Sequence, residues 1–182
     1  MPSYISLLRG INVGGKQLPM ATLRTVYQSL GLTNVKTLLA SGNAIFETDE
    51  TDVVALTQQL ESAIIAQFGF ESKIVLRTFE ELEAVVAHCP FSPKQLETPS
   101  KIAVVFLSAL PIEGGLDALR NANKGDEISQ HKDRELYIFY GEGMGTSKLT
   151  TNLIEKHLKV VGTARNWNTV LKLWVIRREY RD

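Results

Sequence analysis

The chain has 182 residues, 44% of them hydrophobic, and its 20 basic side chains balance 20 acidic ones. This length fits one larger domain or two small ones that share a core. No apolar run approaches the ~20 residues that cross a bilayer, and no secretion signal is recognisable. The single cysteine, Cys89, excludes an internal disulfide and favours a reducing compartment. We therefore expect a cytoplasmic protein without a membrane partner.

The charges are unevenly distributed along the chain. Residues 1–40 contain four basic side chains and no acidic one. Residues 41–147 contain 8 basic and 17 acidic side chains, and residues 148–182 contain 8 basic and 3 acidic ones. Basic ends around an acidic middle indicate an anion-facing surface if the two ends meet in space. The alternative is that the charged side chains only keep the surface soluble.

The first half of the chain predicts the element order β-α-β-β-α-β, judged from apolar periodicity and turn residues. The strands are Tyr4–Arg9, Val35–Ala40, Ala44–Glu47 and Ser72–Arg77, and the helices run from Pro19 to Gly31 and from the cap Asp52 to about Phe68. A capping box, Thr78–Glu81, opens a further helix that reaches about His88. The proline-rich residues 90–100 are predicted to be a connector.

The second half predicts the order β-α-β-β-α, followed by a helix. Its elements are strand Lys101–Ser108, a helix from Pro111 through Leu119, strands Glu127–His131 and Glu135–Tyr140, a helix capped by Ser147, and a last helix from near Asn166. The predicted fold class is therefore α+β, with two ferredoxin-like β-α-β-β-α halves and a C-terminal helix. We expect the halves to span residues 1–92 and 98–182 and to form one compact body.

Four segments together resemble one bacterial family of unknown function, DUF1697. They are Leu7–Lys16, the turn Ser41-Gly42-Asn43, the segment Ser147-Lys148-Leu149 and the closing stretch Ala164–Leu173. They occur in this order between about residue 3 and residue 175. The resemblance implies a compact bacterial protein with helices and strands in a ferredoxin-like arrangement, and it supplies no activity.

The segment Gly10–Gln17 is the clearest chemical pattern, because it places glycines between a strand and a helix. Such a loop can leave backbone N–H groups pointing at an anion. It misses the phosphate-loop pattern G-x-x-x-x-G-K-[ST] by one residue, since Gln17 replaces the hydroxyl that ligates magnesium. A nucleotide hydrolase is therefore disfavoured. The interpretations left are an anion cradle with Arg9 and Lys16, or a structural loop whose glycines have positive φ.

A second group of candidates lies near the C-terminus. Arg165 could hold a phosphate or carboxylate through two of its guanidinium nitrogens, whereas Asn166 could be a helix cap and Trp167 a core residue. Ser147 and Lys148 follow a glycine-rich loop, so they indicate either a helix cap or an anion site. The strand aromatics between residues 137 and 140 could stack bases, although core packing is the preferred interpretation. The three histidines lack metal-ligand spacing.

Three functions fit these residues. The leading hypothesis is a cytoplasmic binding module for a small anionic or phosphate-bearing ligand; the alternatives are a nucleic-acid-binding protein, or an enzyme that acts on a small phosphorylated or carboxylated substrate. We predict no cofactor and no metal, and the sequence assigns no catalytic residue and no oligomeric state. The predicted ligand-binding residues are Arg9, Gly10, Asn12, Gly14, Gly15, Lys16, Ser41, Asn43, Ser147, Lys148, Arg165 and Asn166.

Overall fold

The computed structural model describes residues 1–180, which fold as two units: a first unit, Met1–Leu82, and a second unit that begins at Glu83. The elements of the first unit are β1 (Ser3–Leu8), α1 (Met20–Ser29), β2 (Thr33–Leu38), β3 (Asn43–Glu47), α2 (Val53–Phe68) and β4 (Ile74–Thr78), and α3 (Phe79–Ala87) begins in it. Its four-stranded sheet has the order β2-β3-β1-β4, with every neighbouring pair antiparallel. This order and the two crossover helices are the ferredoxin-like arrangement.

The second unit repeats the topology of the first. After α4 (Pro93–Leu96) and a 3₁₀ helix (Pro99–Lys101), its elements are β5 (Ile102–Leu107), α5 (Gly115–Ala122), β6 (Ile128–Lys132), β7 (Glu135–Phe139), α6 (Thr151–Leu158), β8 (Gly162–Asn166), α7 (Trp167–Ile176) and a 3₁₀ helix (Arg177–Tyr180). The antiparallel sheet has the order β6-β7-β5-β8, which corresponds strand for strand to the first sheet. The predicted α+β class with two ferredoxin-like halves is confirmed.

Strand β8 was missing from the predicted elements. Its sequence, Gly-Thr-Ala-Arg-Asn, has no apolar alternation and little intrinsic strand preference. The strand forms because β5 offers it an edge, where Val105 lies opposite Ala164 and Leu107 lies opposite Gly162. With β8 included, each unit has the complete order β-α-β-β-α-β, and a helix follows the last strand.

Two local predictions for the second unit were wrong. Helix α5 begins at Gly115 rather than at Pro111, because Gly114 has the left-handed φ of +73° and cannot belong to the helix. Helix α6 is capped by Thr150, whose hydroxyl accepts the Leu153 N–H at 3.2 Å, and not by Ser147. Residues 90–100, the predicted connector, contain α4 and the first 3₁₀ helix.

Each sheet packs one face against its own two crossover helices. In the first unit the apolar core includes Leu8 and Phe46 from the sheet and Leu60 from α2. In the second unit Ile138 from the sheet packs with Leu158 from α6. Burial of these side chains stabilises each unit by roughly 1.5–3 kcal/mol per large apolar residue. No helix within residues 1–180 is long and apolar enough to cross a bilayer.

The ends of the two sheets repeat a three-residue pattern, Arg77–Phe79 in the first unit and Arg165–Trp167 in the second. Each arginine is buried on the last strand of its sheet, and its Nη1 donates to the preceding carbonyl, that of Leu76 at 2.8 Å or of Ala164 at 2.9 Å. The middle residue accepts a backbone N–H of the following helix, and the aromatic residue begins that helix and is buried. The predicted core position of Trp167 is therefore confirmed.

Candidate functional site

Residues 10–16, which we call the glycine loop, lie at one end of the first sheet. Strands β1 and β2 run towards this end and β3 and β4 run away from it. The glycine loop therefore lies beside the turn 39–42 and the connection 69–73. Hydrogen bonds join the three segments at their bases: the Arg9 N–H donates to Lys73 O and the Leu8 N–H donates to Gly42 O, both at 2.9 Å.

The glycine loop turns through several residues with left-handed φ, namely Gly10, Asn12, Gly14 and Gly15 at +53° to +83°. The Asn12 N–H donates to Lys16 O at 2.7 Å, and the Lys16 N–H donates to Val13 O at 3.2 Å. Within residues 1–180, no acceptor engages the N–H groups of Val13, Gly14 and Gly15. These three residues are exposed, so their N–H groups are open to an external acceptor.

Asn12 fixes the conformation of the glycine loop. Its Nδ2 donates to Leu18 O at 3.1 Å and to Ala40 O at 2.7 Å, while its Oδ1 accepts the Leu18 N–H at 2.8 Å. The side chain therefore joins both ends of the loop to the neighbouring turn. This role is structural, and all three amide contacts of Asn12 are made within the first unit.

The predicted residues Ser41 and Asn43 support the same end of the sheet. Asn43 is buried, and its Nδ2 donates to Leu38 O at 2.7 Å and to Ser41 Oγ at 3.0 Å. Gly42 between them has a φ of +86°, and a Cβ there would lie 2.5 Å from Ile11 Cδ1. The structure thus brings the two N-terminal signatures together, and the turn packs against the loop.

Two predicted cations lie at the ends of the glycine loop: Arg9 precedes it, and Lys16 is its last residue. The Lys16 side chain is exposed, with Nζ 3.5 Å from Glu71 O and 6.0 Å from the Phe70 ring centroid. Arg9 is half-buried, and its carbonyl accepts the Ser72 hydroxyl at 2.9 Å. Residues 1–40 contain no acidic residue, so neither cation meets a carboxylate from its own segment.

The predicted residues Ser147 and Lys148 line a cavity of about 300 Å³ in the second unit. We call it the second-unit cavity; its walls are the connections 124–127 and 140–148. Ser147 Oγ accepts the Leu149 N–H at 3.0 Å and donates to Glu127 Oε1. This hydrogen bond, with a weaker one from Asn123, holds the pKa of Glu127 below its usual range.

Arg165 and Asn166 lie on β8. Arg165 is 5% exposed, and its Nη1 donates to Thr163 Oγ1 at 2.7 Å as well as to Ala164 O. Burial lowers the pKa of Arg165 to about 10, which leaves it charged at neutral pH. Asn166 is the cap of α7, because its Oδ1 accepts the Asn168 N–H at 2.9 Å, and its Nδ2 donates to Ser100 O at 3.2 Å.

Sequence reasoning missed the role of Glu127 in the second-unit cavity. The sequence predicts Glu127 as the first residue of a strand, whereas it ends the polar connection that precedes β6. The polar run 123–127 between a helix and a strand was the available signal. Gly125 was also missed: a Cβ at this position would lie 2.1 Å from Glu127 Oε2.

The remaining reactive groups are held by structural contacts. The hydroxyl of Tyr137 donates to Val85 O at 2.7 Å, and that of Tyr140 donates to Leu149 O at 3.0 Å. Burial raises the pKa of both tyrosines, to about 12 for Tyr140, and also raises the pKa of the Cys89 thiol. Within residues 1–180, no three His, Cys, Asp or Glu side chains are arranged to hold a metal ion.

Comparison with known proteins identifies the chain at the level of a family. Residues 1–137 match the model of a family described as a protein of unknown function (DUF1697). A solved structure of a conserved bacterial protein from Streptococcus pneumoniae is similar, with a TM-score of 0.74 and 23% sequence identity, and the match covers 96% of this chain and 98% of that one. This similarity shows a shared fold. No curated protein matches the chain significantly. The family model spans most of the 182 residues, and the chain therefore belongs to the DUF1697 family.

Proposed function

We propose that the protein is a cytoplasmic binding module that holds a small anionic or phosphate-bearing ligand at the glycine loop. One observation carries the proposal: the consecutive N–H groups of Val13, Gly14 and Gly15 have no acceptor within residues 1–180. Successive N–H groups in such turns form concave sites for anions. Lys16 adds a positive charge at the end of this run.

The rigidity of the glycine loop also supports the proposal. Asn12 holds both ends of the loop, and Gly42 allows the neighbouring turn to pack against it. A loop fixed before binding loses little conformational entropy when a ligand arrives, so a few hydrogen bonds suffice for measurable affinity. In this proposal Arg9 and Lys16 supply charge, Gly10, Gly14 and Gly15 supply backbone shape, and Ser41 and Asn43 support the wall.

The test is an NMR titration of the protein with inorganic phosphate, which follows the amide signals of the glycine loop. We expect saturable shifts at Val13, Gly14 and Gly15, and weaker binding in Lys16→Gln. The matched control is Lys36→Gln, which removes the same charge from an exposed position on β2 of the same unit. Absence of saturable shifts with phosphate, sulfate and nucleotides would rule out this anion site.

Two further measurements separate the alternative functions. A nucleic-acid partner contacts many phosphates, so its affinity falls steeply with salt concentration, whereas the affinity of a small monoanion falls only weakly. Oligonucleotide binding that is much tighter than phosphate binding and has a steep salt slope would favour the nucleic-acid alternative. Turnover of a phosphorylated or carboxylated compound in a metabolite screen would favour the enzyme.

A further inference from the structure

We propose that the second-unit cavity binds a small zwitterion of the amino-acid class, with an ammonium group on Glu127 and an acidic group on Lys148. The proposal concerns a different site and a different ligand chemistry from the glycine loop. It rests on a cavity of about 300 Å³, a carboxylate that its neighbours orient, and cations that line the same cavity. A cavity of this volume is at the lower end of those that hold small ligands.

The Glu127 carboxylate is an oriented hydrogen-bond acceptor. The Leu149 N–H donates to Ser147 Oγ, so the single hydroxyl proton of Ser147 is directed to Glu127 Oε1. Glu127 Oε2 is buried and has no hydrogen-bond partner within residues 1–180. A buried carboxylate oxygen without a donor is costly, so a rotation of the Glu127 side chain that brings Oε2 to an N–H or O–H group in the cavity would be favourable.

Gly125 gives the carboxylate its position. A Cβ at residue 125 would lie 2.1 Å from Glu127 Oε2, so any side chain there would displace the carboxylate. The backbone of Gly125 does not have a left-handed φ, and a substitution would therefore move Glu127 without straining the chain. A substitution of Gly125 therefore changes the position of the Glu127 carboxylate but does not remove the carboxylate.

The other walls of the cavity define the second half of the ligand. The hydroxyl of Tyr140 is engaged by Leu149 O, so Tyr140 offers its ring and no donor. Lys124 and Lys148 line the cavity together with Asp126, Glu127 and Glu142, which leaves one excess negative charge. Such a lining disfavours a dianion and suits a ligand that carries one positive and one negative group.

A metal ion is a poorer match than an ammonium group. No three carboxylates or imidazoles within residues 1–180 are arranged to ligate a cation together. A single oriented carboxylate with one unsatisfied oxygen is, in contrast, sufficient for a charge-assisted hydrogen bond to a primary amine. Lys124 and Lys148, which line the same cavity, offer N–H donors to an acidic group of the ligand.

The test is an NMR titration of the full chain with the common free L-amino acids at millimolar concentration. For any amino acid that binds, the N-acetyl derivative removes the cation and the methyl ester removes the anion. We expect at least one free amino acid to cause saturable shifts of the Gly125, Glu127 and Ser147 amides. We expect its N-acetyl derivative to bind at least about tenfold more weakly, since a charge-assisted hydrogen bond is lost.

Variants make the test specific to the carboxylate. Glu127→Gln and Gly125→Ala should each weaken binding at least about tenfold, whereas Glu113→Gln, at an exposed position outside the cavity, should leave it unchanged. The amide spectrum verifies that each variant is folded. Where Glu127→Gln does not fold, the binding measured with Gly125→Ala tests the proposal. The proposal would be overturned by binding that survives N-acetylation or both variants. It would also be overturned if no amino acid of the panel causes saturable amide shifts, or if inorganic phosphate alone saturates the cavity.

Discussion

The two units share one topology, yet each carries its longest irregular connection at a different end of its sheet. In the first unit residues 9–19 connect β1 to α1, and the connection 48–52 after β3 is short. In the second unit residues 140–150 connect β7 to α6, and the connection 108–114 after β5 is shorter. One long connection exposes backbone N–H donors, and the other surrounds a carboxylate acceptor. The two units thus present opposite hydrogen-bonding groups, and the connection that is extended differs between them.

At the ends of the last strands, β4 and β8, the two units are alike. Arg77 and Arg165 are both buried, and each donates to the carbonyl of its preceding residue. The repeated pattern supports an origin of the two units by duplication. It also favours a structural role for Arg165, since its counterpart in the first unit has the same burial and the same backbone contact. Ligand binding by Arg165 stays a prediction.

The largest effect is expected from truncating the aromatic residue that begins the helix after the last strand. Phe79 and Trp167 are 4% and 5% exposed, so Phe79→Ala and Trp167→Ala should each lower the free energy of unfolding by about 3–5 kcal/mol. Chemical denaturation followed by circular dichroism measures both values. If only one variant is destabilised, the two positions are not equivalent and the comparison between the units fails there.

A smaller effect is expected from removing the buried arginines. Arg77→Ala and Arg165→Ala leave buried acceptors without their donors, which should cost about 1–3 kcal/mol of unfolding free energy. The exposed Arg24→Ala, on α1, is the matched control and should change stability little. If Arg165→Ala keeps its melting temperature but loses phosphate binding, Arg165 is a ligand residue and the structural interpretation is wrong.

The glycine loop provides the next comparison, with a matched pair of asparagines in the first unit. Asn12 and Asn34 both have left-handed φ, at 53° and 50°, so glycine at either position relieves the backbone and removes only the side chain. Asn12→Gly should lose about 1 kcal/mol of stability and weaken the phosphate-induced shifts, because the loop is no longer held. Asn34→Gly, whose amide contacts Glu47 on the surface, should leave the loop signals unchanged.

Local patterns were enough to predict some of these features from the sequence. The structure confirms features whose signal lies in a few neighbouring residues. They are the glycine loop, the capping box at Thr78, the cap Asp52 and the buried Trp167. The apolar stripes also predicted most helices and seven of the eight strands.

Features that depend on distant residues were not predictable in this way. Strand β8 exists because β5 provides a pairing edge, and the burial of Arg165 follows from that strand. The place of Glu127 depends on Ser147, twenty residues later in the chain, which folds back to donate its proton. No periodicity or spacing in the sequence predicts the pairing of β8 with β5 or the contact of Ser147 with Glu127, because both arise from tertiary packing.

The smallest expected effect concerns the pKa of Glu127, which the Ser147 hydroxyl holds below its usual value of about 4.3. A carboxyl group with a lower pKa in the folded state binds fewer protons there than in the unfolded chain. It therefore stabilises the fold above the unfolded pKa, and this contribution is lost as the pH falls through the folded pKa. Ser147→Ala removes the largest cause, so the pKa of Glu127 should rise and less stability should be lost on acidification.

An NMR titration of the Glu127 side-chain carboxyl carbon measures this change directly. Thr146→Ala is the matched control, because Thr146 also lines the second-unit cavity but makes no hydrogen bond to Glu127. The charged neighbours that line the cavity, Lys124, Asp126, Glu142 and Lys148, are the same in both variants, so their influence cancels. The glycine loop contains no Asp or Glu, and its amide signals should show no carboxyl titration of their own. An unchanged pKa of Glu127 in Ser147→Ala would mean that the hydroxyl does not hold the carboxylate, and the acceptor chemistry that distinguishes the second unit from the first would lose its basis.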